Sequence, residues 1–356
     1  MASVIIGSGT AVPELTVTND QLAEVMDTSD DWIRSRSGVA VRRYCDPGVG
    51  SATLGARAVQ AALDDAGVAP AEVDLLVSAT MTPDLLAPGN APLIQDQAGL
   101  GPIAAFDVRQ QCAGFLYGLE LADAMLSSGR ATTAVVVGAE AHAGYLPFGP
   151  SIWGRLRGTH RGPVDDDDYQ QATRFRAWSV LFGDGAGAFV LRRDPDPTVG
   201  FLGGRLFSDG SLFDLIWVEG VGFRHQPYVD HTQLDAELHL PSMNGMELFR
   251  QAVRLMPEAV AAVVADHGLS TDDLDLVIAH QANQRIIAAV ARQFGWADND
   301  PRVPCNIDRY GNTTAATLPL LFHDLRNQGR IDSGQLLAFT AFGSGAHWGA
   351  SLYRVP

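Results

Sequence analysis

The chain has 356 residues, 46% of them hydrophobic and only 8% aromatic, and it contains 37 glycines. This length and composition are typical of a folded α/β protein with a large core and are unlike those of disordered or fibrous chains. The formal charge of -16 argues against nucleic acid as a general partner, because phosphate binding requires a cationic surface.

Five short apolar runs, each bounded by turn residues, follow one another at residues 4–7, 75–79, 134–137, 276–279 and 336–340. Several of them are separated by segments with helical periodicity. This alternation predicts buried strands between helices, and the predicted fold class is therefore α/β.

A weak internal repeat relates the two parts of the chain, because residues 65–77 are echoed by residues 266–278. In both copies a glycine follows an Ala/Val-rich helix, an acidic stretch comes next, and an apolar strand ends the unit. We expect each glycine to end its helix in a left-handed turn. The repeat predicts two similar halves, residues 1–195 and 196–356. A long, partly helical surface insertion is expected at about 144–176, with its acidic run at 165–168 solvated.

The three cysteines, Cys45, Cys112 and Cys305, are too few and too scattered for a disulfide framework, and none has the paired spacing of metal ligands. This pattern predicts a reducing compartment and no bound metal. The N-terminal segment lacks the basic start of a signal peptide, and no segment approaches the roughly 18 apolar residues that span a bilayer. We therefore expect a cytoplasmic protein without membrane insertion.

Cys112 lies between a strand-like segment and a helical pattern that starts at Phe115, which places its thiol at a helix N-terminus. Unpaired amides and the positive end of the helix dipole stabilise a thiolate there, so we expect a pKa lowered from about 8.5 toward neutrality. The small neighbours Ala113 and Gly114 leave room for a substrate. A buried structural cysteine is the alternative that position alone leaves open.

Two polar residues of the C-terminal half occupy positions typical of α/β active sites. His280 follows the apolar run at 276–279, at the carboxyl end where α/β sheets place their ligands. Asn312 follows a turn and opens a helix of small residues. Each has a structural alternative, a satisfied core histidine and a helix cap. The last element, residues 341–350, holds a glycine-rich turn that can present backbone amides to an oxyanion.

Four short motifs surround these residues: CAGF at 112–115, HQAN at 280–283, GNTTAA at 311–316 and FGSGAHWG at 342–349. In order and spacing they resemble the beta-ketoacyl-acyl carrier protein synthase III family and its relatives in polyketide and other secondary metabolism. The likeness runs nearly end to end. It implies a thiolase-like five-layered α-β-α-β-α fold of two pseudo-symmetric halves, and a homodimer.

By this resemblance Cys112 takes an acyl group from a thioester, and the backbone amides of Cys112 and Ser344 hold the oxyanion. His280 and Asn312 then stabilise the enolate that remains when a malonyl-type thioester loses carbon dioxide, and a carbon–carbon bond forms. No cofactor is bound, and the substrates are acyl-coenzyme A or acyl carrier protein thioesters. Some relatives instead pass the acyl group to an alcohol or amine without decarboxylation. An aspartate at position 312 would favour that chemistry, so Asn312 favours condensation.

The resemblance also assigns residues around the substrate entrance. Arg285 and Arg292 match the basic face that receives the acidic carrier protein. Met246 replaces an asparagine that is common in the family, which leaves one pantetheine hydrogen bond without its usual partner. Coenzyme A and pantetheine binding is implied for Trp32, Arg36, Arg176, Gly245, Phe249 and Asn283.

Ala87 stands where short-chain bacterial members often carry a bulky aromatic residue that closes the acyl pocket from across the dimer. Its small side chain predicts an acyl group larger than acetyl, whether branched, aromatic or long. The insertion at 144–176 departs from the compact housekeeping members of the family. Both departures predict a role in specialised metabolism, such as polyketide or antibiotic biosynthesis.

Two other classes of protein share part of this pattern. A papain-like cysteine hydrolase has the same chain order of Cys, His and Asn, but its local sequence around the nucleophile is absent. A non-catalytic partner subunit of a condensing enzyme would not need Cys112, His280 and Asn312 together. The sequence therefore favours an active acyltransferase over both.

Overall fold

Strands and helices alternate along the chain in the computed structural model, which describes residues 2–356. All five apolar runs form strands, as predicted. The strands are β1 (Ala2–Ala11), β2 (Leu15–Thr18), β3 (Val41–Tyr44), β4 (Leu75–Ala79), β5 (Ala104–Val108), β6 (Thr133–Glu140), β7 (Gly185–Asp194), β8 (Gly200–Ser208), β9 (Ile216–Trp217), β10 (Ser242–Met243), β11 (Leu276–Ala279), β12 (Leu336–Gly343) and β13 (His347–Arg354). The α-helices are α1 (Asn19–Ala23), α2 (Asp30–Ser37), α3 (Ser51–Ala66), α4 (Ala91–Gln97), α5 (Gly114–Ser127), α6 (Pro150–Leu156), α7 (Asp166–Arg174), α8 (Arg176–Ser179), α9 (His231–Asp235), α10 (Gly245–Asp266), α11 (Gln284–Gln293), α12 (Ile307–Tyr310) and α13 (Thr317–Asn327).

Two mixed sheets form the framework. The first has the strand order β1-β7-β6-β4-β5, with β4 parallel to both of its neighbours and the other pairs antiparallel. The second has the order β11-β12-β13-β8, in which only β11 and β12 run parallel. Every strand of the first sheet lies within residues 2–194 and every strand of the second within residues 200–354.

Helices fill the space between the sheets and cover both outer faces. Apolar side chains of α5 and α13 pack between β4, β6 and β7 on one side and β11, β12 and β13 on the other. Side chains of α3 and α4 cover the outer face of the first sheet, and those of α10 and α11 cover the outer face of the second. The layers therefore run helix, sheet, helix, sheet, helix, which is the predicted five-layered arrangement.

The sequence repeat corresponds to a repeated structural unit. After α3 the chain turns at Gly67, makes a 3-10 turn at Pro70–Glu72 and enters β4. After α10 it turns at Gly268, makes a 3-10 turn at Thr271–Asp273 and enters β11. The two glycines have φ of +62° and +69°, which L residues rarely adopt, so the prediction of left-handed turns is confirmed.

The segment at 144–176 is more than a surface loop. It contains α6 and α7, and its side chains Phe148, Ile152 and Leu156 are buried in a small core together with residues of β2, α1 and β3. Its acidic run is exposed at residues 165–167, as predicted, while Asp168 is half-buried and accepts hydrogen bonds from the backbone and hydroxyl of Ser151. No helix among residues 2–356 combines the length and the apolar character needed to cross a membrane.

Candidate active site

Cys112 lies on a strained turn between β5 and α5. A 3-10 turn at Gln111–Ala113 leads directly into the helix, and Gln111 has a φ of +52°, which is uncommon for a residue with a side chain. Gly343 of the other half approaches this turn so closely that a Cβ there would lie 2.8 Å from the amide nitrogen of Ala113 and 3.0 Å from that of Cys112. Glycine is therefore needed where the two halves meet at the thiol.

The prediction of a lowered thiol pKa is wrong. Cys112 is buried, and burial raises the pKa of its thiol to about 12, with a further rise from the Glu140 carboxylate and only a partial offset from a backbone amide. The dipole at a helix N-terminus contributes about 0.3–1 kcal/mol, less than one pKa unit, whereas burial of a charge shifts a pKa by several units. The effect of desolvation on the thiol pKa is the larger of the two, and the thiol is therefore protonated at neutral pH.

His280 follows β11 and is fixed by hydrogen bonds on two sides. Its backbone N–H donates to the Thr340 carbonyl oxygen at 2.9 Å, and its Nδ1 lies 2.7 Å from the Thr317 hydroxyl. The ring is buried, and burial lowers its pKa to about 3, so the imidazole is neutral at physiological pH. The Thr317 hydroxyl also lies 2.9 Å from the Thr314 carbonyl oxygen. It can therefore accept from Nδ1–H, or donate to an unprotonated Nδ1, and it supports either neutral tautomer.

Asn312 presents an amide donor. Its backbone bridges the two halves, since its N–H donates to Leu181 at 2.8 Å and its carbonyl accepts from the Gly183 N–H at 3.1 Å. Its side-chain oxygen accepts from the Thr314 N–H at 2.8 Å. Because only the oxygen of the carboxamide can take that bond, the NH2 group is identified and is left for another acceptor. Thr314 itself has a φ of +43°, so strained residues adjoin Asn312 as well as Cys112.

A buried carboxylate behind the site was not predicted. Glu140, at the end of β6, accepts hydrogen bonds from the hydroxyls of Thr80 and Thr82, from the Met81 N–H at 3.1 Å and from the Ala315 N–H at 3.3 Å. Burial raises its pKa, although these donors favour its charged form. It ties β4 and β6 to the turn that carries Asn312. The sequence feature that could have revealed this residue is a glutamate at the end of a continuous buried strand.

One cavity joins the residues that the motifs single out. It has a volume of about 480 Å³ and brings Cys112 together with His280, Asn312 and Ser344. Most of the predicted entrance residues line the same cavity: Trp32, Arg36, Gly245, Phe249, Asn283 and Arg285. A second cavity, of about 690 Å³, reaches Cys112 and Ser344 from the other side.

Cation–π contacts between arginine side chains and an indole ring hold the entrance residues together. The guanidinium groups of Arg36 and Arg176 lie 4.5 and 4.7 Å from the centre of the Trp32 ring. Asn283 donates to the Arg36 carbonyl oxygen at 2.7 Å, and Arg285 lies over Phe249 at 5.7 Å. Met246 lies beside them at the mouth, with 80% of its surface exposed.

Three predicted residues do not line the entrance cavity. Arg176 touches it only through Trp32 and is held by Asp27. Arg292 lies on α11 and pairs with Asp298 at 2.6 Å. Ala87 is exposed in the loop before α4, whereas its neighbour Leu86 lines the second cavity. Within residues 2–356 no group of three or more His, Cys, Asp or Glu side chains is placed to hold a metal ion.

Comparison with known proteins matches two parts of the chain to family profiles. Residues 264–355 match the 3-oxoacyl-acyl carrier protein synthase III C-terminal family, and residues 106–148 match the 3-oxoacyl-acyl carrier protein synthase III family. The beta-ketoacyl-acyl carrier protein synthase III of Rhodospirillum rubrum is 40% identical over 359 residues, covering 99% of both chains. The solved 3-oxoacyl-acyl carrier protein synthase III of Pseudomonas aeruginosa is 36% identical with a TM-score of 0.83, covering 100% of this chain and 99% of that one.

A third relative is the priming beta-ketosynthase of a polyketide biosynthetic pathway, whose structure has a TM-score of 0.81 and 28% identity and covers 100% of this chain and 96% of its own. The two-sheet fold, with a buried cysteine of one half lining the same cavity as a histidine and an asparagine of the other, is that of a thiolase-fold enzyme of the condensing class. Relatives of 38–40% identity cover the chain end to end. The chain belongs to the 3-oxoacyl-acyl carrier protein synthase III family, which confirms the resemblance and the fold.

Proposed function

We propose that the enzyme transfers an acyl group from a thioester to Cys112 and then condenses it with a malonyl-type thioester, with loss of carbon dioxide. The observation that carries this proposal is the donor pair beside the thiol. A neutral imidazole and an amide NH2 with no charge of their own share one cavity with Cys112. Such donors suit an enolate oxygen, since they stabilise developing negative charge in a dry site.

In the acylation step the Cys112 sulfur attacks the thioester carbonyl carbon. Because the thiol is protonated, its proton leaves during the attack and is taken up by the departing thiolate, which is released as a thiol. The tetrahedral oxyanion is stabilised by the backbone amides of Cys112 and Ser344. One such donor contributes about 10²- to 10³-fold in rate.

In the condensation step the malonyl-type thioester loses carbon dioxide and leaves an enolate. The enolate oxygen accepts from the Asn312 NH2 group and from His280 Nε2–H, in the neutral tautomer in which the Thr317 hydroxyl turns from the Thr314 carbonyl oxygen to donate to Nδ1. The enolate carbon then attacks the acyl carbonyl carbon. The C–S bond to Cys112 breaks, the Cys112 thiolate takes up a proton from solvent, and a 3-oxoacyl thioester is released.

The proposal also assigns substrate-binding roles to the residues around the entrance. Trp32, Arg36 and Arg176 would receive the nucleotide end of coenzyme A, because stacked guanidinium and indole groups offer a flat cationic surface. Gly245, Phe249 and Asn283 would line the pantetheine arm. Arg285 and Arg292 would attract an acidic carrier protein by charge, against the negative background of the chain.

A homodimer is part of the proposal. β5 is the edge strand of the first sheet, and its Phe106 is 40% exposed; Leu85 and Leu86, in the loop before α4, are exposed as well. An exposed edge strand with apolar side chains is a template for pairing with a second copy. That pairing would place Ala87 near the partner's second cavity. Phe106→Arg should then give a monomer by light scattering.

Specialised metabolism remains the proposed setting, supported by the folded insertion at 144–176, by Ala87 and by the likeness to a priming ketosynthase. We also place the division between the halves near residue 195, between the last strand of the first sheet and the first strand of the second.

Product analysis tests the proposed reaction. The enzyme is given an acyl-coenzyme A and a malonyl thioester labelled in its free carboxyl carbon, and labelled carbon dioxide and the 3-oxoacyl product are measured by mass spectrometry. Condensation predicts the two in equal amounts. Release of the acyl group as an ester, an amide or a free acid, without labelled carbon dioxide, would contradict the proposal. Arg292→Ala, remote from the cavity, is the control for His280→Ala with coenzyme A substrates.

A further inference from the structure

A thin segment of the chain forms one wall of the second cavity at Cys112. We call that cavity, of about 690 Å³, the inner chamber, and residues 218–241 the flap. The flap residues that line the inner chamber are Val218, Val221, His239 and Pro241. Only Gly220, Gln233 and Pro241 of the flap are buried, and no flap residue belongs to an apolar core of residues 2–356. The flap therefore lacks the apolar burial that fixes the framework in place.

The flap is bonded mainly to itself. The Gly220 N–H donates to the Leu238 carbonyl oxygen at 2.8 Å, and the Val221 N–H donates to the Gln233 side-chain oxygen at 2.9 Å. Its neck is the short pair of strands β9 and β10, which pair over two residues each. A segment that keeps its own bonds and leaves the body through a short neck is built as a hinged element, because opening at the neck breaks few contacts.

One ion pair ties the flap to the insertion. Glu237 of the flap binds Arg174, the last residue of α7. Within residues 2–356 this is the only hydrogen bond or ion pair between the flap and a residue outside it. The insertion is fixed on its other side, where the Thr173 hydroxyl accepts from the Asp27 N–H at 2.9 Å and apolar side chains are buried in a core. A fixed element therefore holds a weakly attached one.

The inner chamber meets the entrance cavity at a junction of four residues. The two cavities share only Cys112, Phe182, Ile216 and Ser344 among their lining residues. Phe182 is buried in a core, whereas Ile216 belongs to the neck and is held by a hydrogen bond from the Ser344 hydroxyl to its carbonyl oxygen. An acetyl group stays beside Cys112, but a bulky acyl group must pass this junction. Opening at the neck moves Ile216 away from Phe182 and lets such a group enter.

We propose that the flap is a hinged cover of the inner chamber and that Arg174 is the latch that holds it closed. The inference rests on the proposed acylation of Cys112, and it gives the insertion a role in admitting bulky acyl groups. Arg174 and Glu237 line neither cavity, so they are positioning residues. Because the closed flap is the state of the structure, a bulky group loads in proportion to the fraction of molecules with an open flap. An exposed ion pair changes such an equilibrium by about 1.5- to 5-fold.

Hydrogen exchange measures the latch without chemistry at the thiol. The amides that pair β9 with β10 exchange only when the neck opens, and their exchange is followed by mass spectrometry. We expect Glu237→Gln to raise this exchange rate by about 1.5- to 5-fold. Glu258→Gln, which breaks the exposed ion pair of Glu258 with Arg254 on α10, should leave it unchanged. Neck amides that exchange equally in wild type and Glu237→Gln would refute the latch.

Acylation rates show whether opening admits substrate. Intact-protein mass is followed with acetyl- and benzoyl-coenzyme A. We expect Glu237→Gln to load the benzoyl group faster by the same factor by which its neck exchanges faster, with the acetyl rate unchanged. Arg174→Glu places like charges together and should have a larger effect, and combining it with Glu237→Arg should restore the wild-type rates. Equal changes for both donors, or no rescue by the exchanged charges, would overturn the inference.

The two measurements separate this inference from the proposed function. Faster exchange in Glu237→Gln, with no acylation of the wild type by either donor, would keep the latch and refute the reaction. Acylation of the wild type, with neck exchange that Glu237→Gln leaves unchanged, would keep the reaction and refute the latch. Circular dichroism melts check that every variant folds.

Discussion

Thr317 is bonded to the ring of His280 but lines neither cavity, and its replacement by valine gives a sharp prediction. Valine keeps the shape of threonine and removes the hydroxyl that lies 2.7 Å from His280 Nδ1. The ring would lose the bond that holds its reactive orientation and tautomer, and such a loss disfavours that reactive state by about 1–3 kcal/mol. Since each 1.4 kcal/mol changes a rate about 10-fold, we expect condensation to slow by roughly 5- to 150-fold.

The assay separates the two half-reactions. Single-turnover release of labelled carbon dioxide from a malonyl thioester reports condensation, and intact-protein mass reports acylation of Cys112. Thr317→Val should slow the first more than the second, and Thr317→Ser should restore it because serine keeps the hydroxyl. Condensation by Thr317→Val at the wild-type rate would refute the role of this hydroxyl in setting the tautomer. An equal loss in Thr317→Ser would assign the effect to packing.

Three further predictions follow from the same geometry. Alkylation of Cys112 by iodoacetamide, corrected with Cys112→Ala, should keep rising with pH up to about 10, because burial raises the thiol pKa to about 12; a plateau near pH 7 would show that the helix dipole prevails. Asn312→Asp exchanges a donor for an acceptor and should slow decarboxylation at least about 100-fold while Cys112 is still acylated; full activity would contradict the donor role. Glu140→Ala leaves several buried donors without an acceptor and should lower the urea-derived free energy of unfolding by about 2–4 kcal/mol; an unchanged midpoint would contradict its anchoring role.

The neutral state of His280 also fixes the pH dependence of condensation. Burial lowers its pKa to about 3, so the ring becomes protonated only as the pH falls toward that value. Between pH 5 and 9 we expect no step in the single-turnover condensation rate from this histidine. A step near pH 6.5 that disappears in His280→Gln would show that the ring titrates as an exposed histidine does.

Local sequence patterns were sufficient to predict the strands and the helix ends of the framework. The apolar runs became buried strands, and Gly67 and Gly268 end two equivalent helices, because these features depend on residues close in sequence. The position of Cys112 at the start of α5 followed in the same way.

The features that local sequence patterns did not predict depend on contacts between residues far apart in the chain. The thiol pKa depends on how deeply Gly343 and its strand bury Cys112, and no residue near Cys112 in sequence encodes that approach. Glu140 and Thr317 act through partners that lie far away along the chain. The insertion at 144–176 was predicted to be partly helical and to lie on the surface, whereas its side chains Phe148, Ile152 and Leu156 meet the side chains of β2, α1 and β3 in a common core.

The most direct test of the account is a chase on the acyl-enzyme. Cys112 is first loaded with an acyl group and freed of donor, and a malonyl thioester is then added while the protein mass is followed. We expect the acyl mass to leave the protein together with one carbon dioxide and one 3-oxoacyl thioester, and to stay in place in His280→Ala. Loss of the acyl group as free acid, or an acyl-enzyme that persists in the wild type, would contradict condensation at this site.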